Sequence, residues 1–535
     1  MRLSPIKLIS ILWTATFALA QPGIGANPSL VRIDSGLVEG VLEPGGQVVA
    51  FKGIPYAAPP IGELRWRPPQ AAPNWHGVRS AMSFGPHCPQ FEKSPDVLFR
   101  DPGPSEDCLT LNVWSPANAR KSGLPVMVWI HGGGFAYGGS SEPRQDGQYL
   151  AERQVVVVSM NYRLGIFGFF VHPELTAESP HHASGNYGLM DMTASLGWVK
   201  RNIASFGGDP ENITVFGESA GSFAVSALMA SPVSRGMLSK AIGESGGAFF
   251  SPGLIVQSRE EREERDSGFA NTAFGTPRLS ELRKLDAEKI VTDVAGRGSA
   301  VVFGPDIDGY FLPESVPRLY TAGKQAHIPL LAGWTADEGR NQIVGTKSKI
   351  TVSCFAAQAQ RELGASASEF LALYPARTTE ELQNSAADYA GDHSIAYSTW
   401  RWLEVHVKTG HASVFRYFFE LGSPGDNNHP ASLGAFHTDD IEYVFGTLDS
   451  RPGAVWRPED RELSERMMRY WTNFARTGDP NGPTLPEWPA YTDQSGWEVM
   501  HLGVVQEPTR DTHRERYLFL DQAWDKRPDE SQTEP

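Results

Sequence analysis

Two kinds of apolar pattern alternate along the chain. VMVWIH (126–131), VVVVS (155–159) and ITVFG (213–217) are nearly unbroken apolar runs rich in β-branched residues. Runs without a polar face predict strands covered on both sides, as in a parallel sheet flanked by helices. The stretch GLMDMTASLGWVKRNIASFG (188–207) instead spaces its apolar residues for a helix packed on that sheet. Further strands are expected at Ile328 to Ala332 and Val414 to Glu420, with irregular helical insertions from about 255 to 300 and 345 to 410. The charge-dense run Arg259 to Arg265 reads as a solvated helix face. Strands alternating with helices define an α/β chain with a central, mostly parallel sheet. No repeat or low-complexity linker divides it, so residues 21–535 are expected to form one unit with helical insertions.

The first twenty residues stand apart. Met1, Arg2 and Lys7 make a positive start, Leu8 to Leu19 is mostly apolar, and Ala18-Leu19-Ala20 offers small residues for cleavage. This is the pattern of a secretory signal peptide, so the mature chain is expected to begin near Gln21 and to be extracellular or periplasmic. About twelve apolar residues are too few to span a bilayer core of ~30 Å, and no later segment is apolar for long enough. Export gives the cysteines meaning, because outside the cytosol two nearby thiols oxidise. Cys88 and Cys108 flank a turn-rich stretch with Pro89, Pro95, Pro102, Gly103 and Pro104 and are expected to pair, leaving Cys354 over.

Composition narrows the partners. With 40% hydrophobic and 20% charged residues among 535, and a mean hydropathy of −0.31, the chain is neither disordered nor polytopic. Lysine and arginine number 47 against 62 aspartates and glutamates, a net charge of −15 that disfavours nucleic acid and anionic membranes. Three cysteines at these spacings form no zinc or iron-sulfur pattern, and no metal or organic cofactor is expected.

The candidate chemistry begins with G-x-S-x-G, which occurs twice, around Ser219 (217–221) and Ser245 (243–247). Context separates the copies. A nucleophile elbow needs a strand in, a tight turn and a helix out whose N-terminus faces developing negative charge. ITVFG-ES-AGSFAVSALMA supplies all three for Ser219, whereas the GGAFFSPG after Ser245 is a poor helix start. Ser245 is expected to end the next strand and support the site from behind. A serine hydroxyl also needs a base and preorganised donors for the oxyanion. His131-Gly132-Gly133-Gly134-Phe135 follows the VMVWI strand directly, and a glycine-rich turn lets bare backbone N–H groups approach a substrate oxygen. Gly133 and Gly134, with Ala220, make a candidate three-donor oxyanion hole. No P-loop or dinucleotide fingerprint accompanies these glycines.

Longer blocks carry a family resemblance. FKGIPYAAPPIGELRWRPP (51–69), SEDCLTLNVWSP (105–116), HGGGFAYGGSS (131–141), NYRLGIFGFF (161–170), GNYGLMDM (185–192), NIASFGGDPENITVFGESAG (202–221) and FARTGDPNG (474–482) occur in this order over nearly the whole mature chain. The sequence resembles the type-B carboxylesterase/lipase family of α/β-hydrolases, which includes the cholinesterases. The resemblance implies a serine ester hydrolase acting on a small-molecule ester, with helical insertions around an active-site gorge. It also implies the remaining triad members: Glu338 in IPLLAGWTADEGR, with Asp337 as its neighbouring rival, and His437 in GAFHTDDIEYVFG, with His429 as the nearest competitor. The order Ser219, Glu338, His437 is that of α/β-hydrolases. Arg65 with Glu106, and Arg163 with Asp191, resemble two structural salt bridges of the family. Glu218, Ser245 and Asp440 resemble the acidic network behind its triad.

Departures bear on the substrate. The cholinesterases hold choline against a tryptophan in the loop closed by the first disulfide, and here that loop offers only Phe91 and Phe99 as aromatics. The expected substrate is an aryl or short-to-medium acyl ester, as for the bacterial para-nitrobenzyl esterases and secreted fungal esterases of the family. Arg340, two residues past the acid, reads either as a structural arginine or as a reader of a carboxylate on an anionic ester, such as a tricarballylate or phenolic-acid ester. Adhesion proteins of the family that have lost the nucleophile are a binding-module alternative, against which an intact Ser219 argues. An acyltransferase using the same acyl-enzyme stays open. Asn212-Ile213-Thr214 is a glycosylation sequon, but it abuts a strand expected to be buried.

Overall fold

A computed structural model of the chain describes residues 28–525, apart from 92–96, 120–121, 250–256, 299–301, 344–350 and 427. The expected leader lies outside the described residues. A small sheet and a large one account for the strands: β1 (Leu30–Ile33), β2 (Gly36–Glu39), β3 (Val41–Leu42), β4 (Val48–Pro55), β5 (Val78–Ser80), β6 (Thr110–Pro116), β7 (Leu124–Ile130), β8 (Val156–Met160), β9 (Gly208–Glu218), β10 (Lys240–Glu244), β11 (Leu330–Thr335), β12 (Val414–Phe419), β13 (Glu498–Leu502) and β14 (Gln506–Arg510). Strands β1, β2 and β5 form the small sheet, and the other eleven run in the order β3-β4-β6-β8-β7-β9-β10-β11-β12-β13-β14. The block from β8 to β13 is parallel, and antiparallel strands close both edges. This is the mostly parallel, helix-flanked sheet of an α/β-hydrolase fold.

The unbroken apolar runs have a direct cause. Side chains alternate between the faces of a strand. Val126, Val128 and Ile130 of β7 therefore enter one core, while Met127 and Trp129 enter the other. Both faces are covered, so neither set is polar. On the first face lie the helices Tyr187–Asn202 and Ala220–Ala230; on the second, Pro458–Thr477 buries Leu463, Met467, Trp471 and Phe474. The helix expected at 188–207 stops at Asn202, and a 3₁₀ turn, Ile203–Phe206, leads to Gly207 at φ +89°.

Both ranges read as insertions contain helices among the described residues. The first contains Arg259–Phe274 and Ala287–Ala295, and the second runs from Val352–Leu363 through Thr379–Gly391 to Tyr397–Thr409. The charged run departs from its expectation at one residue. Arg262 is 1% exposed and donates to the Gly304 and Phe169 carbonyls and to Asp266, so this face of the helix is a buried polar clamp. Cys88 and Cys108 form a disulfide, and Cys354 is an exposed thiol. Asn212 sits in β9 with its side chain engaged by Lys240 and the Arg476 carbonyl. Among the described residues, no helix is long and apolar enough to cross a membrane.

Candidate active site

The carboxyl ends of the parallel strands carry the site. Glu218 ends β9 and Glu244 ends β10, and the two are paired in register, as are Gly217 and Gly243. The two G-E-S-x-G copies thus lie side by side at one level of the sheet. Ser219 and Ser245 both take positive φ, +55° and +52°, a conformation costly for a residue with a Cβ. Their N–H groups are held alike, by the Glu244 carbonyl at 2.8 Å and the Gly333 carbonyl at 2.8 Å. Only Ser219 leads into a helix, Ala220–Ala230. The elbow can turn this tightly because Gly217 and Gly221 lack side chains: a Cβ on Gly221 would lie 2.0 Å from the Ile130 carbonyl oxygen.

Three distant segments converge on that elbow. His437 Nε2 lies 2.9 Å from Ser219 Oγ, and His437 Nδ1 lies 2.5 Å from Glu338 Oε2. Glu338 follows β11, and its other oxygen accepts from the Thr335 N–H at 3.0 Å. The rivals are elsewhere. Asp337 turns from the imidazole to accept from Ala435 and Arg340. His429 stacks on Phe436, centroids 4.5 Å apart, and pairs with Asp426. Beside the elbow, the turn after β7 brings Gly132 close enough that a Cβ there would lie 3.2 Å from Ser219 Cβ. Gly133 and Gly134 both have positive φ, +99° and +61°, and a Cβ on Gly133 would strike the Tyr137 carbonyl at 2.0 Å. Ala220 is the first residue of the elbow helix.

The electrostatics are dominated by carboxylates. Burial pushes the Glu338 carboxyl up, but His437, the Ser245 hydroxyl and the Thr335 N–H outweigh it and hold Glu338 below the usual carboxylate value. Glu218 is 3.3 Å from His437 Nε2; burial, with Asp440 and Glu338 nearby, raises it to about 8. Asp440, which accepts from Tyr417 Oη at 2.8 Å, is raised by burial to about 7. Burial disfavours the charged form of His437, yet Glu338, Glu218 and Asp440 prevail and raise it to about 10. Acidic groups around one imidazole, Glu338 foremost, favour the imidazolium.

Supporting residues also meet. Arg65 grips Glu106 through Nε and Nη2 at 2.7 and 2.5 Å, and Arg163 grips Asp191 through Nε and Nη2 at 2.7 Å each. Arg340 donates from Nη1 to Asp337 at 2.8 Å, so the structural reading of this arginine has an observed partner; its side chain is 38% exposed. Sequence reasoning missed Glu244, which is buried, accepts from Trp471 Nε1 at 2.8 Å, and is raised well above its ordinary value by burial. The duplicated G-E-S-x-G was the available signal. Phe99 of the disulfide loop stacks on His87, and Phe91 is exposed. Among the described residues, no three His, Cys, Asp or Glu side chains converge to hold a metal ion. A cavity of about 880 Å³ lies against the helix Tyr187–Asn202, lined by Trp66, Met190 and Trp198, and contains none of Ser219, Glu338 and His437. Volume alone does not locate the chemistry here.

An elbow serine, an imidazole and a carboxylate on this sheet define an α/β-hydrolase. The sequence pattern of the carboxylesterase family matches residues 27–519, and the chain belongs to that family. Among its relatives, the fumonisin B1 esterase of Sphingopyxis macrogoltabida is 37% identical, the alignment covering 92% of this chain and 91% of the relative. Carboxylesterase 1D of Rattus norvegicus is 35% identical over 92% of this chain and 93% of its own. The para-nitrobenzyl esterase of Bacillus subtilis (strain 168) is 34% identical over 87% and 93%. The chain is a carboxylic-ester hydrolase.

Proposed function

We propose that this is a secreted serine esterase working through an acyl-Ser219 intermediate. The observation that carries the reading is the unbroken chain from Ser219 Oγ to His437 Nε2 at 2.9 Å and from His437 Nδ1 to Glu338 Oε2 at 2.5 Å, built on a strained elbow. His437 Nε2 takes the hydroxyl proton as Ser219 Oγ bonds to the ester carbonyl carbon. The carbonyl electron pair moves to its oxygen, which the N–H groups of Gly133, Gly134 and Ala220 receive. Collapse expels the alcohol, which leaves with the proton from His437. Water then attacks the acyl-serine by the same route, releasing the acid. Glu338 holds the imidazole in the required tautomer and stabilises its charged form.

The substrates we propose are aryl and short-to-medium acyl esters, anionic and phenolic ones included. Two of the three relatives described above are named for their esters, and fumonisin B1 and para-nitrobenzyl esters belong in the panel. Export through residues 1–20 fits the disulfide, which persists in oxidising compartments. In that panel, Ser219→Ala is expected to lose nearly all turnover while keeping the wild-type far-UV circular dichroism and Tm. Hydrolysis of para-nitrophenyl acetate by Ser219→Ala near the wild-type rate overturns the assignment. Product analysis with added alcohols separates hydrolysis from acyl transfer.

A further inference from the structure

We propose that Asp337 is a positioning residue that sets the distance between Glu338 and His437; the inference rests on the triad reading above. The two groups ride on different carriers. Glu338 sits on the turn directly after β11, whereas His437 lies far along the irregular segment that follows β12. The sheet ties these carriers only at their root, where the Ala336 N–H donates to the Phe419 carbonyl at 2.8 Å. Sixteen residues, none of the described ones in a strand, then lie between Phe419 and the tip at Phe436, and a segment of that kind does not fix a side chain to within a few tenths of an ångström by itself.

Asp337 closes the gap. Its N–H donates to the Ala435 carbonyl at 2.9 Å, and its Oδ2 accepts from the Ala435 N–H at 2.9 Å. The two bonds form a reciprocal clasp two residues before His437 and one before Glu338, with Asp337 and Phe436 bridged in parallel. Its Oδ1 accepts from Arg340 Nη1 at 2.8 Å, and the Arg340 N–H returns to the Asp337 carbonyl at 3.0 Å, so the carboxylate is held from behind. On the facing segment the backbone passes so near that a Cβ on Gly434, at φ +67°, would lie 2.1 Å from Oδ2. The position of the acid and the clasp on the histidine segment are thus properties of two adjacent residues. The other flank of His437 is anchored separately, by Asp439, which accepts from the Ser423 N–H and from Arg451. Asp337 acts on the reaction only through the Glu338–His437 contact, the contact that raises the imidazole.

The test measures kcat, KM and the pH profile of para-nitrophenyl acetate hydrolysis for Asp337→Ala and Asp337→Asn beside Ser219→Ala. Asp337→Ala is expected to lower kcat by about 10–10²-fold with KM nearly unchanged, the scale of a ~1 Å misplacement. Its acid limb should move to lower pH, because an imidazole that Glu338 no longer grips is raised less. Asp337→Asn keeps an oxygen for the Ala435 N–H and is expected to recover most of the loss. A wild-type kcat and acid limb in Asp337→Ala overturns the inference, and so does an equal loss in both variants. If Asp337→Ala does not fold, Gly434→Ala gives the same readout with every charge kept, since its Cβ displaces the carboxylate; a wild-type kcat and acid limb there overturns the inference equally. An inert Ser219→Ala beside a wild-type-like Asp337→Ala overturns this inference alone, whereas an active Ser219→Ala overturns the triad reading.

Discussion

Burial alone would keep the His437 imidazole neutral, because moving its positive charge away from water is unfavourable. The carboxylates reverse that preference and raise it to about 10. Of the three, Glu218 and Asp440 are themselves pushed up by burial, to about 8 and 7, so near neutrality neither holds a full negative charge. Glu338, held low, is the persistent anion. In the proposed mechanism the base must be neutral to accept the Ser219 proton, so activity is expected to rise with pH as the imidazolium is lost. The acid limb of kcat/KM is therefore expected above the ordinary histidine value of about 6.5. Glu338→Gln removes the persistent anion and should move that limb to lower pH while cutting kcat by as much as about 10⁴-fold, the scale for a triad acid replaced by its amide. An unmoved limb in this variant would mean that Glu338 does not set the imidazole's charge. None of these shifts was legible in the sequence, because each arises from groups far apart in the chain: His437 lies 218 residues from Ser219 and 99 from Glu338.

Elements explain why some of the site was legible all the same. The elbow reads from sequence because its strand, turn and helix are contiguous and its glycines are forced by local contacts, Gly221 against the Ile130 carbonyl above all. The second G-E-S-x-G could be set aside as a nucleophile because the GGAFFSPG after it is a poor helix start. Its glutamate, Glu244, went unseen because its partner Trp471 lies on a helix 227 residues away. The disulfide loop shows the same divide. Its closure reads from spacing, but its contact with the glycine turn does not: Gln90 donates to the Gly138 carbonyl at 2.9 Å and accepts from the Gly138 N–H at 2.8 Å. Through this pair the loop braces the turn that presents Gly133 and Gly134. Replacing both Cys88 and Cys108 by alanine is expected to cost ~3 kcal/mol of stability, given the 20-residue separation of the cysteines. It should also lower kcat, because Gln90 is two residues from Cys88. Denaturant unfolding and turnover on one preparation check both, and full turnover in a destabilised variant would show that the brace is not needed.

At the scale of the whole molecule, the pattern of strands was legible because both sheet faces are dry, whereas the buried ions that stitch the layers were legible only where the family resemblance named them, as for Arg163 and Asp191. A charged residue in sequence reads as surface until its partner is known. Arg262 sits inside a charged run yet is buried, and Arg416, also buried, meets Asp511 from 95 residues away with Trp334 under its guanidinium at 4.2 Å. Arg163 and Asp191 are the pair whose consequences can be separated. Arg163 lies in the segment after β8, an interior strand, and Asp191 lies in the helix Tyr187–Asn202, so the bond ties a strand-to-helix loop to a core helix. Both side chains are buried, and Arg163 Nη1 also donates to the Arg67 carbonyl at 2.8 Å. Arg163→Met leaves the Asp191 carboxylate dry and unpaired, which is expected to cost ~3–5 kcal/mol. Adding Asp191→Asn removes the stranded charge while keeping an oxygen for the N–H of residue 163, which donates to Asp191 at 3.1 Å in the wild type. Most of the loss should then return, except for roughly 1–3 kcal/mol from the Arg67 carbonyl, which stays without its donor in both variants. A double variant as unstable as Arg163→Met alone would place the cost in lost packing rather than in the buried charge.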